Sequence, residues 1–185
     1  MQRERRIETE VVRCIGENDF FIQVPFTFPE AALPFYIEDV TIKLQDYNLN
    51  IALGECCDSV IFSGELFINV LYKYGTTAND TNGLPTNTGY IAQQTKLAPI
   101  AGCIPMECEK FRECCKTVQA KLIDICITES HTLTNPVDET VDFPFYNGLT
   151  ESICVKVKAK IVTDEIIQIP FEDDCNCCKC ENDCK

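Results

Sequence analysis

The sequence predicts an all-β fold: an antiparallel β-sandwich or a partly closed barrel of about seven or more strands. The strongest observation is in residues 60–72, where an apolar side chain stands at nearly every second position. Such alternation, rich in β-branched and aromatic residues, is typical of a strand, whereas a helix would spread the same residues around its circumference. Further alternating segments, polar turns and few helical patterns extend the prediction to the whole chain. Most connections are short, which favours antiparallel pairing.

Residues 60–72 are predicted to form a long central strand with two different faces. One row of side chains is strongly apolar and contains Val60, Phe62, Leu66, Ile68, Val70 and Tyr72. The other row mixes polar side chains with Ile61, Phe67 and Leu71. Because both rows are substantially apolar, the strand is expected to need cover on both faces. The core would cover one face, and a loop or another subunit would cover the other.

The N-terminal part of the chain is predicted to supply an arm and two strands. Residues 1–12 are polar and charged, and we expect a mobile arm that contacts a neighbouring subunit, or an edge strand. Residues 20–28 are expected to form a short strand, which Pro25 restricts to an edge or a bend because it lacks a backbone N–H. Residues 37–51 alternate well, and a turn at 54–59 should join them to the central strand as a hairpin.

Two irregular stretches are predicted in the middle of the chain. Residues 74–99 are rich in Thr, Asn and Gly and contain the turn signal Asn82-Gly83. This composition predicts a long polar surface loop with a short strand near 90–97. Residues 103–115 are a cysteine-rich connection, with one helical turn expected around 107–114.

The C-terminal part is predicted to contain three strands and a tail. Residues 117–128 should form a strand with a β-bulge at Leu122–Ile123, where the apolar set changes parity. Residues 152–163 should face the core with one row and present lysines to solvent with the other, and residues 166–171 should form a final short strand. These assignments divide the chain into an arm at 1–12, a single β domain at 13–172 and a cysteine-rich tail at 173–185.

The chain is strongly acidic, with 16 Lys and Arg against 29 Asp and Glu and a formal net charge of -13. Such a protein repels phosphate backbones, so nucleic acid is not expected as a partner. No run of about eighteen apolar residues occurs, which predicts no membrane span. The N-terminus lacks the apolar stretch of a secretory signal, so synthesis in a cytosol is expected.

The sequence contains no pattern that predicts an enzyme. His131 is the only histidine and has no nucleophile pattern beside it, so a solvent-exposed or structural role is expected. The alternative for His131 is a Cys–His nucleophile pair, which is the rarer arrangement. No glycine-rich phosphate loop follows a strand, and no G-x-S-x-G elbow occurs. No cofactor is therefore expected, apart from the metal alternative below.

Fourteen cysteines are more than a cytosolic chain normally carries. Their density indicates either metal ligation or thiols that become cross-links after release from the cell. Adjacent cysteines have poor geometry for a bridge to each other, so each needs a separate partner, which can lie on another chain. The candidates for cross-linking by disulfides are Cys14, Cys56, Cys57, Cys103, Cys108, Cys114, Cys115, Cys175, Cys177, Cys178, Cys180 and Cys184. Cys126 and Cys154 lie inside predicted strands, where a small buried apolar role is at least as common as a bridge.

The tail C-N-C-C-K-C-E-N-D-C offers a metal alternative. Its C-x-x-C spacings are those of tetrahedral thiolate sites, so Zn²⁺ is the alternative cofactor. Its ligands would be Cys175, Cys177, Cys178 and Cys180. Structural zinc sites normally use two pairs of ligands separated by a folded segment, and here all the ligands are crowded together. Intermolecular disulfides, metal binding and free thiols therefore remain open for the tail.

Several segments resemble the SPOCS domain of spore coat and spore morphogenetic proteins of endospore-forming Firmicutes. V-I-F-S-G-E-L-F-I-N-V-L-Y, preceded by V-T-I-K-L, is similar to the core of that domain. The likeness continues with H-T-L-T-N-P-V-D-E-T-V-D-F-P-F and closes with I-C-V-K-V-K-A-K-I. It spans roughly residues 34–170. The polar loop, the cysteine-rich connection and the tail depart from the family pattern, and no cell-wall-binding module follows.

The resemblance implies a self-assembling structural subunit of a spore coat, exosporium or appendage. Such a subunit would be made in the mother-cell cytoplasm without a signal peptide and would become covalently locked by oxidation. The implied partners are further copies of the chain, as a homo-oligomer or polymer, and other spore surface proteins. The alternatives are a zinc-binding module that uses the tail and an adaptor that recruits other coat proteins without polymerising.

Overall fold

A computed structural model describes residues 4–53, 58–79, 85–108, 118–137 and 144–170. Seven strands and one short 3-10 turn at Glu30–Ala32 account for most of them. In chain order the strands are β1 Glu4–Thr27, β2 Pro34–Leu53, β3 Asp58–Asn79, β4 Pro85–Pro105, β5 Glu107–Cys108, β6 Val118–Pro136 and β7 Tyr146–Pro170. In the described part of the chain, no helix is long and apolar enough to cross a lipid bilayer.

The strands form two antiparallel sheets, which confirms the predicted β-sandwich. One sheet has four strands in the order β5-β1-β7-β6, and the other has three in the order β2-β3-β4. The described strands do not close into a barrel, so the barrel alternative is wrong. Contacts of β1 with β4 and of β2 with β6 stack the sheets on each other.

The core lies between the two sheets and is built by the predicted inward rows. β3 is the middle strand of its sheet, and its predicted apolar row is buried throughout. In β7 the predicted inward residues are also buried, namely Ile153, Val155, Val157, Ala159 and Ile161. The ring of Phe20 from β1 stacks on Phe62 at a centroid distance of 5.6 Å and joins the two sheets. Each buried aliphatic or aromatic side chain of this kind stabilises the fold by about 1.5–3 kcal/mol.

The predicted hairpin and the predicted bulge are both confirmed. Strands β2 and β3 pair antiparallel down to Leu53 opposite Asp58. The turn between them, at 54–57, lies outside the described residues. In β6 the register with β7 shifts between Leu122 and Asp124, so the extra residue sits where the apolar parity changes.

The predicted long loop over residues 74–99 is wrong. β3 continues to Asn79 and pairs with β4 from Pro85 onward, with Thr76 opposite Thr88. Threonine is β-branched and suits a strand, so a polar, Thr-rich composition was compatible with a two-stranded extension of the sheet. The short strand expected near 90–97 is part of β4, and the predicted Asn82-Gly83 turn lies outside the described residues.

The predicted arm over residues 1–12 is also corrected. From Glu4 onward these residues are the first part of β1, and they pair with β7 from Pro170 to Val162. The segment 166–171 is correspondingly not a separate strand, because β7 runs without a break to Pro170. In the described residues this part of β1 has a neighbour on one side only, which agrees with the edge-strand alternative. The tail at 173–185 lies outside the described residues.

Two further predictions concern local structure. Pro25 lies inside β1, opposite Thr150, and β5 pairs with β1 only at Cys14 and Ile15. The missing N–H of Pro25 therefore falls where the described part of β1 has one hydrogen-bonded neighbour. The helical turn expected around 107–114 is wrong at its start, because Glu107–Cys108 is strand β5, and its remainder lies outside the described residues.

Candidate cross-linking thiols and a buried carboxylate cluster

Cys14 and Cys108 form a disulfide within the chain. They lie directly opposite each other in the β1–β5 pairing, with Cα atoms 4.5 Å apart. Both are among the predicted disulfide candidates, and the structure pairs them with each other within the chain. The sequence separation of 94 residues means that the bond closes a long loop. Closing such a loop restricts the unfolded chain and stabilises the fold by about 4–5 kcal/mol in the chain-entropy model.

Cys103 and Cys126, called the surface thiols below, are free and exposed. Cys103 lies on β4, opposite Ile61, on the outer face of the three-stranded sheet. Cys126 lies on β6, opposite Lys156, on the outer face of the four-stranded sheet. Each surface thiol therefore lies on an edge strand of its sheet in the described structure, and the two edge strands belong to different sheets.

The exposure of Cys126 corrects the interpretation of a small buried residue. The alternation in β6 is inward for Ile125 and Ile127, so Cys126 between them must point outward. Cys154 is free and half-buried on the same outer face of the sheet. It lines a shallow depression of about 420 Å³ together with Phe21 and Thr128, its two cross-strand neighbours.

The other predicted thiols lie outside the described residues. These are Cys56, Cys57, Cys114, Cys115, Cys175, Cys177, Cys178, Cys180 and Cys184. The zinc alternative for the tail falls among them, and it stays a prediction.

A second cluster brings together Glu129, His131 and Glu151, which we call the carboxylate cluster. His131 lies directly opposite Glu151 in the β6–β7 pairing, and Glu129 is two residues before His131 on the same face. One ligand atom from each side chain can be chosen so that all three lie within 4.8 Å of one another. The Nδ1 atom of His131 is 3.6 Å from Oε2 of Glu129, an ion pair when the imidazole is protonated.

Glu151 is buried in the row that forms the core. Its exposed fraction is 0%, and its neighbours in that row, Leu149 and Ile153, are buried as well. On β1 its cross-strand partner is the apolar Val24. Neither carboxylate oxygen of Glu151 receives a hydrogen bond from the described residues. An ionised carboxylate in such a place is unfavourable unless a partner compensates its charge.

Burial, as the larger cause, and the neighbouring carboxylate of Glu129 together raise the pKa of Glu151 from 4.5 to about 8. The protonated form can donate a hydrogen bond to Glu129, which the ionised form cannot do. At neutral pH without another cation, Glu151 is therefore mostly protonated. The cluster can hold either a proton or a positively charged ligand.

The sequence predicts His131 only as an isolated histidine, and it predicts neither glutamate as a site residue. A usable signal was present, because Glu151 stands in the same alternating row as Ile153 and Val155. A carboxylate in an inward row requires a partner, and this signal was not used. The partners of Glu151 on β6, Glu129 and His131, are not predictable from the sequence. Their position depends on the register between β6 and β7, and the sequence of one strand does not determine that register.

Comparisons with models of protein families, with curated proteins and with solved structures find no match to this chain.

Proposed function

We propose that the chain is a structural subunit that assembles with copies of itself and is held covalently by disulfides between subunits. The observation that carries this proposal is the position of the surface thiols on the last strands of two different sheets. Cys14 and Cys108 are bonded to each other, so the surface thiols are available for disulfides with other partners.

The placement of the surface thiols favours head-to-tail assemblies over two-fold symmetric dimers. A bond between Cys103 of one copy and Cys126 of the next joins two different surfaces. Such a head-to-tail contact repeats from copy to copy and gives a ring or a filament. Each copy then has one link in each direction.

The outer face of the three-stranded sheet supports the same proposal. Ile61, opposite Cys103, is exposed, as are Ile91 at 61% and Leu97 at 55%. These side chains share a face with Phe67 and Leu71, the mixed outer row of the central strand. Burying this apolar face against a neighbouring copy would be favourable.

The edges of the sheets supply a further contact. In the described residues β2, β4 and β6 each have a strand neighbour on one side only. Long edge strands present unpaired N–H and C=O groups to other chains. Contact between edges would bring the surface thiols on β4 and β6 close to neighbouring copies.

The location that we propose is the surface of a bacterial endospore, in a coat, exosporium or appendage. This part of the proposal depends on the SPOCS resemblance over residues 34–170. Synthesis in the mother cell keeps the thiols reduced during assembly, and later oxidation forms the cross-links. A non-enzymatic role follows from the same proposal.

Gel electrophoresis of the purified chain with and without reductant tests the cross-linking. After oxidation the wild type should give a ladder of multimers that collapses to monomer with reductant. The double variant Cys103→Ser/Cys126→Ser should lose most of the ladder. The matched control is Cys154→Ser, which removes a half-buried thiol from the same sheet as Cys126 and should keep the ladder. A wild type that stays monomeric without reductant contradicts the proposal.

Gel filtration of the reduced wild type distinguishes the self-assembling subunit from the adaptor alternative. Weak assembly through the apolar face and the sheet edges should give concentration-dependent multimers. A monomer at every concentration would favour an adaptor that does not polymerise.

A further inference from the structure

We propose that Glu129, His131 and Glu151 form a binding site for one divalent transition-metal ion, with Zn²⁺ as the ion to test. Metal binding at this cluster goes beyond the proposed structural role, and its ligands are residues other than the tail cysteines.

The pairing of β6 with β7 brings the three side chains together. Cross-strand neighbours lie directly opposite each other, so His131 and Glu151 are held side by side by the backbone ladder. Glu129 reaches the same place because residues two apart in a strand share a face. Ligands at about 2.0–2.2 Å from a tetrahedral ion lie about 3.4 Å apart. The ligand atoms now lie within 4.8 Å of one another, so they must approach each other by up to about 1.4 Å to reach that distance.

Glu151 provides an independent reason to expect a ligand. It is fully buried, both of its oxygens lack a hydrogen-bond donor among the described residues, and it points into the cluster. Buried polar atoms without partners are rare, and each requires an explanation. An apolar residue such as its neighbours Leu149 and Ile153 would fill the position without this cost. A bound cation supplies the missing partner for both oxygens.

The donor set selects the class of metal. One imidazole with two carboxylates suits Zn²⁺ and related first-row ions. Ca²⁺ and Mg²⁺ prefer oxygen ligands in larger number, so they should bind more weakly.

The access path is open on one side. The side chains of Glu129 and His131 are 34% and 38% exposed, whereas Glu151 closes the site from the core. An ion can therefore enter from solvent and keep one or more water ligands on that side. Three protein ligands with an open position is the pattern of accessible zinc sites.

The test uses the full chain with its free thiols alkylated and without reductant. Alkylation prevents the tail cysteines from binding metal, and omission of reductant preserves the Cys14–Cys108 disulfide. After treatment with a chelator and its removal, Zn²⁺ is titrated in by calorimetry. We expect one Zn²⁺ per chain, and affinities for Mg²⁺ and Ca²⁺ lower by at least about tenfold.

Three variants locate the ion. His131→Ala, Glu129→Gln and Glu151→Gln should each weaken Zn²⁺ binding by at least about tenfold. The matched control is Asp164→Asn, an exposed carboxylate farther along β7, which should bind as the wild type does. Thermal unfolding in chelator verifies that each variant is folded. Glu129→Gln and His131→Ala change residues on the exposed side of the cluster, so they should leave the fold intact.

The proposal is overturned if the alkylated wild type binds no Zn²⁺, which would leave Glu151 as a buried carboxyl without a cation. It is also overturned if the three variants bind Zn²⁺ as tightly as the wild type. Mg²⁺ or Ca²⁺ binding as tight as that of Zn²⁺ would contradict the assigned metal class.

Discussion

Glu151 shows how one residue in an otherwise regular strand changes the chemistry of a core. It occupies an inward position of β7 between Leu149 and Ile153, which are both apolar and buried. The carboxyl is buried beside two titratable neighbours, Glu129 and His131, and its cross-strand partner on β1 is Val24. Its protonation state is therefore coupled to folding.

The stability of the metal-free chain should depend on pH through Glu151. Its pKa in the folded chain is raised from 4.5 to about 8, so the folded state binds this proton more tightly than the unfolded state. This contribution is fully present below the unfolded pKa and is lost as the pH rises toward 8, by up to about 1.4 kcal/mol per pH unit.

Glu151→Gln removes this dependence because glutamine keeps the shape and cannot ionise. Urea unfolding in chelator, from about pH 5 to about pH 8, measures the free energy of unfolding of both proteins. The stability of the variant relative to the wild type should rise with pH. A constant difference across that range would show that Glu151 has the same pKa in the folded and unfolded chain.

At the scale of strands, periodicity predicted the regular parts well. The alternation of Val60–Tyr72 and of Ile153–Ile161 identified the two strands whose inward rows form most of the core. The parity change at Ile123 identified the bulge, because one extra residue reverses the faces that follow. These features are local, so the sequence of one segment is sufficient to predict them.

Strand ends and strand partners were predicted less well. The Thr-rich stretch after Tyr74 was interpreted as a loop, although threonine also favours extended backbone. The charged N-terminal residues predict a mobile arm or an edge strand, and their partner, the end of β7, is not predictable because it is distant in sequence. The pairing of Cys14 with Cys108 is not predictable for the same reason, because 94 residues separate the two cysteines.

Removal of residues 1–12 should destabilise the chain itself, and not only its assembly. The deletion takes away the β1 segment that pairs with residues 162–170, and it exposes Val162, now 1% exposed. It also removes Glu10, which contacts both Lys121 and Lys160. Loss of the Val162 burial alone should lower the free energy of unfolding by about 2 kcal/mol.

Urea unfolding of the truncated chain measures this effect. Deletion of residues 1–3 is the control, because β1 as described begins at Glu4. An unchanged free energy of unfolding after removal of residues 1–12 would support the original hypothesis of an arm that serves assembly alone.

For the whole molecule, the sandwich separates two tasks. The core and the Cys14–Cys108 bridge stabilise a single subunit, whereas the surface thiols, the apolar outer face and the sheet edges are directed outward. In the proposed assembly, each subunit would remain folded while its neighbours are attached or released. The acidic charge of -13 would repel other copies at low salt, so assembly should be easier when salt screens that repulsion.

The most direct measurement for self-assembly is electron microscopy of the purified full chain after oxidation at physiological salt. We predict regular filaments or layers of repeating subunits that break into shorter pieces or monomers when reductant is added. A uniform population of single-subunit particles, the same with and without reductant, would contradict the proposal that this protein is a cross-linked structural subunit.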